Sequence, residues 1–130
     1  EVYARRQERE RKEQVKLANE ELLTALLPAL DNFSIALKMA ASGETSPAIV
    51  MGIHLILKKL QMILAGFGLQ VYHTQGDAFD PALHEAVQMV ERDDISPGTV
   101  IEELLAGYTL NGRIIRFSKV AVSIFPVDFA

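Results

Sequence analysis

The residues that could do chemistry are few, and their spacing rules out most of what they could do. The histidines are His54, His73 and His84, and no two stand at the i,i+4 spacing that holds a metal ion with acidic support. Asp77, Asp80, Asp93 and Asp94 form only a loose carboxylate set. Asp93-Asp94 followed by Ser96-Pro97-Gly98 reads as turn chemistry. Gly66, Gly68 and Gly76 do not spell a phosphate-cradling loop. No Ser-His-acid arrangement can be argued from spacing. His84 reads as a structural group, bonded to neighbouring backbone or to Glu85. Arg113 and Arg116 are half of the four basic groups in residues 68–130. They read either as solvated hairpin residues or as a binding anchor, since an Arg just after a tight turn is well displayed and Arg is enriched at interface hot spots. The expectation is therefore no catalytic residue, no metal and no cofactor, and a protein that docks.

The elements that position these residues follow from turn signals and periodicity. Residues 79–116 alternate turn residues with β-formers: Phe79-Asp80-Pro81-Ala82-Leu83-His84-Glu85-Ala86, then Ser96-Pro97-Gly98-Thr99-Val100, then Gly107-Tyr108-Thr109-Leu110-Asn111-Gly112-Arg113-Ile114-Ile115-Arg116. Leu69 to His73, Ala86 to Glu91 and Val120 to Phe125 read as strands. Thr99 to Leu105 is ambiguous, because Glu102-Glu103-Leu104-Leu105 alone suggests helix. The Pro97-Gly98 turn, Gly107 and the β-branched start favour strand. Asn111-Gly112 is a strong hairpin signal. Residues 68–130 should form a small all-β module.

Ahead of it the pattern is helical. Residues 1–41 contain one proline, Pro28, no glycine and many strong helix formers. The first fourteen offer only Val2, Tyr3 and Ala4 as apolar groups, so these turns lean on weak pairs such as Glu8 with Lys12, worth about 0.2–0.5 kcal/mol, and should fray first. Leu23, Leu26, Leu30, Phe33 and Leu37 then recur at spacings of 3 and 4, an a/d seam. Pro28 should kink this helix or start a new one. Gly43 and Pro47 bound a loop, and Ser or Thr can cap the helix after it. A second seam runs through Ile49, Ile53, Ile56, Leu60, Ile63 and Phe67, widened by Leu57 and Leu64. Gly52, mid-helix, reads as a place of close helix approach. The helix should stop at Gly66-Phe67-Gly68, where glycine suits a left-handed turn. Two seams joined by a short loop make a hairpin that leaves part of its stripe wet, and two hairpins make a four-helix bundle. The expected fold is α+β: residues 1–67 a helical stalk and dimeric coiled coil or bundle, residues 68–130 an all-β domain.

Bulk properties fit this. The chain has 130 residues, 49% hydrophobic and 23% charged, enough for one or two small modules that oligomerisation would help stabilise. The absence of cysteine excludes disulfides and Cys-ligated metals. Nine acidic against four basic groups in residues 68–130, a balance of −5, disfavour nucleic acid. No run of 18 apolar residues occurs, so no membrane span is expected. Starting at Glu1 rather than Met, the chain reads as a trimmed piece, with any targeting peptide outside it.

The chain resembles the GrpE family, nucleotide exchange factors of DnaK-type chaperones. Leu26-Leu27-Pro28-Ala29-Leu30-Asp31-Asn32 looks like the family's helix-junction motif. Gly52-Ile53, Phe67-Gly68 and Gly76 fall where the family has its own, and the β motifs above match its signature in type and order. The resemblance implies a homodimer whose β domain docks on the chaperone's ATPase domain and opens its nucleotide cleft, without binding nucleotide itself. Carried onto matching positions, it implies Phe79, Pro81, Arg113 and Val122 as docking residues, and Arg5 and Arg6 as a further basic contact. The compartment would be a bacterial cytosol, a mitochondrial matrix or a plastid stroma. Phe117-Ser118-Lys119 and the 125–130 tail depart from the family pattern. The alternative reading is a structural or adaptor dimer that presents β heads to a partner without exchange activity.

Overall fold

The computed structural model describes residues 2–126. The 125–130 tail that departs from the family pattern falls partly on residues 127–130, outside the described residues. Two helices precede six strands, and the chain divides into two compact units, one ending at Phe67 and the other starting at Gly68.

In the first unit, α1 runs from Val2 to Ser42 and α2 from Pro47 to Gly66. Pro28 lies inside α1, and no second helix starts there. An interior proline removes one backbone bond and costs about 3 kcal/mol. Here buried Leu23, Leu27 and Leu30 flank it, and their packing carries the helix through. The turn after Ser42 ends at Ser46, the N-cap of α2, whose Oγ accepts the Ala48 N–H at 3.3 Å, with Pro47 in the first turn. At the other end the Phe67 N–H donates to the Leu64 carbonyl, and Gly68 follows at φ +96°.

Within one chain the hairpin buries only part of the expected seam and its widening residues. The buried residues of α2 are Leu57 and Leu64, with Ile53 and Leu60 half-buried beside them, whereas Ile49, Ile56, Ile63 and Phe67 are exposed. On α1, Leu27 is buried and Leu26 only half so, with Phe33 and Leu37 also half-buried. Gly52 faces open space rather than a close helix. The reason is that α2 is apolar nearly all round, so periodicity alone cannot choose between faces one residue, about 100°, apart.

The same property bears on the expectation about membrane spans. By length and composition α2, and also α1, is apolar enough to cross a bilayer. Uninterrupted runs miss this because His54, Lys58, Lys59 and Gln61 break the run without lowering the average much. Lys58 and Lys59 sit mid-helix, where placement at a bilayer centre costs about 2.5–3.5 kcal/mol for each. Protein burial therefore suits this helix better than lipid.

The second unit holds two three-stranded sheets. β1 (Leu69–Tyr72), β4 (Gly107–Leu110) and β5 (Arg113–Arg116) form one antiparallel sheet in the order β1-β4-β5. β2 (His84–Glu91), β3 (Val100–Leu105) and β6 (Ser118–Ile124) form the other in the order β2-β6-β3. The ambiguous 99–105 segment is thus a strand and not a helix. Its Val100 is fully buried, and the half-buried Glu103 carboxylate accepts the Thr74 N–H at 3.2 Å and lies 3.2 Å from His73 Nδ1. β4 and β5 turn on Asn111 (φ 52°) and Gly112 (φ 81°), the two left-handed residues of a type I′ turn. β6 pairs parallel with β2 and antiparallel with β3. Val100, Val120 and Val122 form the core there, with Phe79 packed against them.

Tyr72 joins the two sheets. It pairs in register with Gly107, and a Cβ on Gly107 would fall on the Tyr72 ring. The hydroxyl donates to the Leu83 carbonyl at 2.6 Å, accepts the Ser118 N–H at 3.1 Å and lies 3.3 Å from the Arg116 carbonyl. Burial pushes the phenol above its ordinary pKa, against the opposing effect of the Ser118 N–H. Two outcomes are expected. Gly107→Ala overpacks the ring and lowers the unfolding free energy of the β unit by about 1–3 kcal/mol, measured by denaturant titration at fixed protein concentration. Tyr72→Phe removes the hydroxyl's bonds, leaves the Ser118 N–H and the Leu83 carbonyl only their mutual bond of 3.2 Å, and costs about 0.5–1.5 kcal/mol. With the folded-state pKa raised, the hydroxyl's contribution is complete below about pH 10 and is lost as the pH rises through the folded value, so the gap between wild type and variant narrows in alkali.

Candidate docking surface on the β unit

The Phe79-Asp80-Pro81 segment is a backbone-locked turn. Its approach runs beside residues 98–100: the Gly76 N–H donates to the Val100 carbonyl, the Val100 N–H to Asp77, and the Phe79 N–H to Gly98, at 2.7–2.8 Å. Asp80 then gathers the residues after it. Its carbonyl accepts the N–H groups of Leu83 and His84 at 2.9 and 2.8 Å, and its Oδ1 accepts the Ala82 N–H at 2.9 Å. The His84 ring closes the turn, with Nδ1 accepting the Asp80 N–H at 2.8 Å and its centroid 5.7 Å from that of Phe79. His84 is thus bonded to neighbouring backbone, not to Glu85. Phe79 is half-buried and Pro81 exposed, so the turn offers a ring edge and a prolyl face on a rigid frame.

The docking residues expected from the resemblance are not all alike. Val122 is 7% exposed and packs in the core with Val100 and Val120. It backs Phe79 rather than presenting a surface, because the central strand of a sheet buries its inward side chains. Arg113 is exposed, the first residue of β5 just past the Asn111-Gly112 turn. It lies on the β1-β4-β5 sheet, whereas Phe79 and Val122 pack at the other. Arg116 is not an anchor of the same kind: its Nε and Nη2 donate to the Ala106 carbonyl at 3.1 and 2.6 Å, and its guanidinium lies 5.1 Å from the Tyr108 ring centroid. Arg5 and Arg6 are exposed on α1, in the first unit.

The remaining polar groups serve local structure. The Arg92 guanidinium grips Asp94 through two bonds of 2.7 and 2.6 Å. Hydrogen bonding to Arg92 holds the Asp94 carboxyl below its ordinary pKa, and the same bond raises that of Arg92. Ser123 Oγ donates to the Ser96 carbonyl at 2.7 Å and accepts the Thr99 N–H at 3.0 Å, fixing the Ser96-Pro97-Gly98 turn. His54 is exposed on α2. Among the described residues, no three His, Asp or Glu side chains gather as metal ligands would. Phe117, between β5 and β6, is exposed and adds apolar surface. The residue missed by sequence reading is Tyr72. Its role depends on standing opposite Gly107, and strand register is invisible in a linear pattern.

Known proteins of similar sequence show which family the chain belongs to. The family model described as GrpE matches residues 1–124. Protein GrpE of Oceanobacillus iheyensis is 40% identical over 121 residues, covering 93% of this chain and 63% of that relative. Protein GrpE of Thermotoga maritima is 40% identical over 118 residues, covering 91% and 66%. That of Treponema denticola is 40% identical over 126 residues, covering 94% and 51%. The chain thus spans between half and two thirds of the length of these relatives. With the match running through both helices and all six strands, the chain belongs to the GrpE family.

Proposed function

We propose that this chain is a non-catalytic co-chaperone, a nucleotide exchange factor that acts on the ATPase domain of a DnaK-type chaperone, in a bacterial cytoplasm like that of its named relatives' hosts. The observation that carries this reading is the family match along residues 1–124. The locked Phe79–Pro81 turn and the exposed Arg113 support it as contact residues, with Val122 behind Phe79. Arg5 and Arg6 are an additional contact on α1.

The work needed is thermodynamic. A partner shifts a two-state equilibrium only by its differential affinity for the two states. The factor must therefore bind the open-cleft ATPase domain better than the closed, ADP-holding one. If it weakens ADP binding by some factor, ADP weakens its own binding equally. Each tenfold effect needs about 1.4 kcal/mol of differential contact, and an Arg hot spot supplies about 2 kcal/mol or more. A few rigid anchors suffice, because little ordering entropy is lost on docking.

The helical unit acts as the dimerisation element. Ile56, 61% exposed, with Ile49, Ile63 and Phe67, is an apolar face on α2 that the hairpin leaves uncovered. Leu37, Pro47, Val50 and Met51 line an apolar groove at the hairpin tip. Full burial of a Leu or Ile contributes about 1.5–3 kcal/mol, so a second copy covering this face stabilises both.

The deciding experiment follows release of a fluorescent ADP analogue from a DnaK-type ATPase domain. Acceleration that saturates with added chain is expected; none from a folded dimer leaves only the adaptor reading. Arg113→Ala should weaken docking by about 2 kcal/mol, roughly 30-fold, with unchanged circular dichroism. In sedimentation the wild type should run as a dimer and Ile56→Glu/Ile63→Glu as a helical monomer, since each carboxylate would be buried unpaired in the seam. A monomeric wild type would overturn the dimer.

A further inference from the structure

The turn that carries Phe79 and Pro81 closes on one imidazole. His84 is 4% exposed. Its Nδ1 accepts the Asp80 N–H at 2.8 Å while its own backbone N–H donates to the Asp80 carbonyl at 2.8 Å. Asp80, flanked by Phe79 and Pro81, is thus tied to His84 by two reciprocal bonds. A ring nitrogen that accepts carries no proton, so the ring is the neutral Nε2–H tautomer. That Nε2 is buried and meets no hydrogen-bond partner among the described residues. Buried donors without a partner are exceptions in folded proteins and require a reason.

The surroundings offer the ring no counter-charge. Its own segment carries Asp77, Asp80 and Glu85. β6 brings Lys119, beside Ser118, the register partner of His84. Tyr72 of β1 holds the Leu83 carbonyl, and its hydroxyl lies by the Arg116 carbonyl of β5. β3 contributes Glu102 and Glu103. The Asp80 carboxylate is engaged with the Ala82 N–H and that of Glu103 with Thr74 and His73. Neither ring nitrogen meets a carboxylate. A proton on Nδ1 would set two N–H groups face to face across the present bond and place a cation in a buried, uncompensated site.

We propose that His84 is a positioning residue for the docking turn, holding Phe79 and Pro81 in place only while its imidazole is neutral, so that acid loosens the turn. The functional half of this inference rests on the docking role proposed for that turn; the structural half stands without it. The bond itself sets the direction. The acceptor exists only in the neutral ring, so turn order is complete while the ring is neutral and is lost once acid protonates it.

Two measurements on the full chain test this. In the free chain, nitrogen-resolved NMR of the His84 ring should show the Nε2–H tautomer at neutral pH. The Asp80 amide should lose its hydrogen-bonded shift as the ring takes up a proton. An Nδ1–H tautomer, or an Asp80 amide indifferent to that titration, overturns the structural half. Affinity for a DnaK-type ATPase domain is then compared for wild type, His84→Asn and His84→Leu. Asn places an acceptor oxygen where Nδ1 stands but does not titrate. As the pH is lowered through the ring protonation seen by NMR, the wild type should lose about tenfold more affinity than His84→Asn, the chaperone's own titration being common to both. His84→Leu should bind weakly throughout, and if it fails to fold, the comparison with Asn decides alone. Equal acid losses in wild type and His84→Asn overturn the functional half. Absence of binding at every pH overturns the docking reading itself, and the NMR arm still decides the turn.

Discussion

Three segments of the β unit meet at one hydroxyl, that of Tyr72. Tyr72 Oη meets the Leu83 carbonyl, the Ser118 N–H and the neighbourhood of the Arg116 carbonyl. Those groups belong to the end of the Phe79–Leu83 turn, the start of β6 and the end of β5. Without the phenol, the Ser118 N–H and the Leu83 carbonyl would keep only their mutual bond of 3.2 Å, and the three segments would lose the one group that touches them all. The absence of a side chain at Gly107 is the other half of the device, because the ring reaches this point only by lying where a Cβ would be. A sheet glycine usually weakens a strand. Here the space it leaves is filled by the aromatic ring across from it.

The helical unit has the opposite difficulty, a surplus of apolar surface. α2 gives one face, Leu57 and Leu64, to α1 and leaves Leu55, Ile56, Met62 and Ile63 exposed. A hairpin of two helices has only one internal interface, so a helix apolar on two sides cannot be satisfied within it. The mid-helix lysines Lys58 and Lys59 mark the side left to water. That combination separates a bundle helix from a membrane helix more reliably than average hydropathy does.

How much of this is legible in the sequence depends on range. Local signals carry well: Ser46-Pro47 opens a helix, Gly68 closes it, Asn111-Gly112 turns a hairpin, and Pro97-Gly98 with Gly107 outweighs the helical look of Glu102 to Leu105. The features that escape a linear reading need partners distant in sequence. The burial of Val122 is one, because nothing local reveals that β6 is the central strand, paired parallel to β2 on one side and antiparallel to β3 on the other. Arg116 looks like Arg113 until its guanidinium meets Ala106 and Tyr108. On α2 the hairpin contact through Leu57 and Leu64 lies one residue from the expected seam because neighbouring faces of that helix are both apolar, and only the packing of α1 shows which face the hairpin takes.

These constraints bear on why a docking surface would be built this way. A contact that must discriminate two states of a partner gains nothing from flexibility, since each rotamer or turn frozen on binding subtracts from both states alike and leaves less net affinity. The Phe79–Pro81 turn is ordered beforehand by backbone bonds to Gly98, by Asp80 and by His84. Proline itself fixes one dihedral without any partner. Arg113 is placed by a two-residue turn whose left-handed residues are Asn and Gly, types that adopt that conformation at little cost. The residues proposed as anchors belong to two different sheets, so their spacing is only as fixed as the link between the sheets. Tyr72 supplies that link, because its hydroxyl touches both the end of the turn and the strand boundary beyond Arg113.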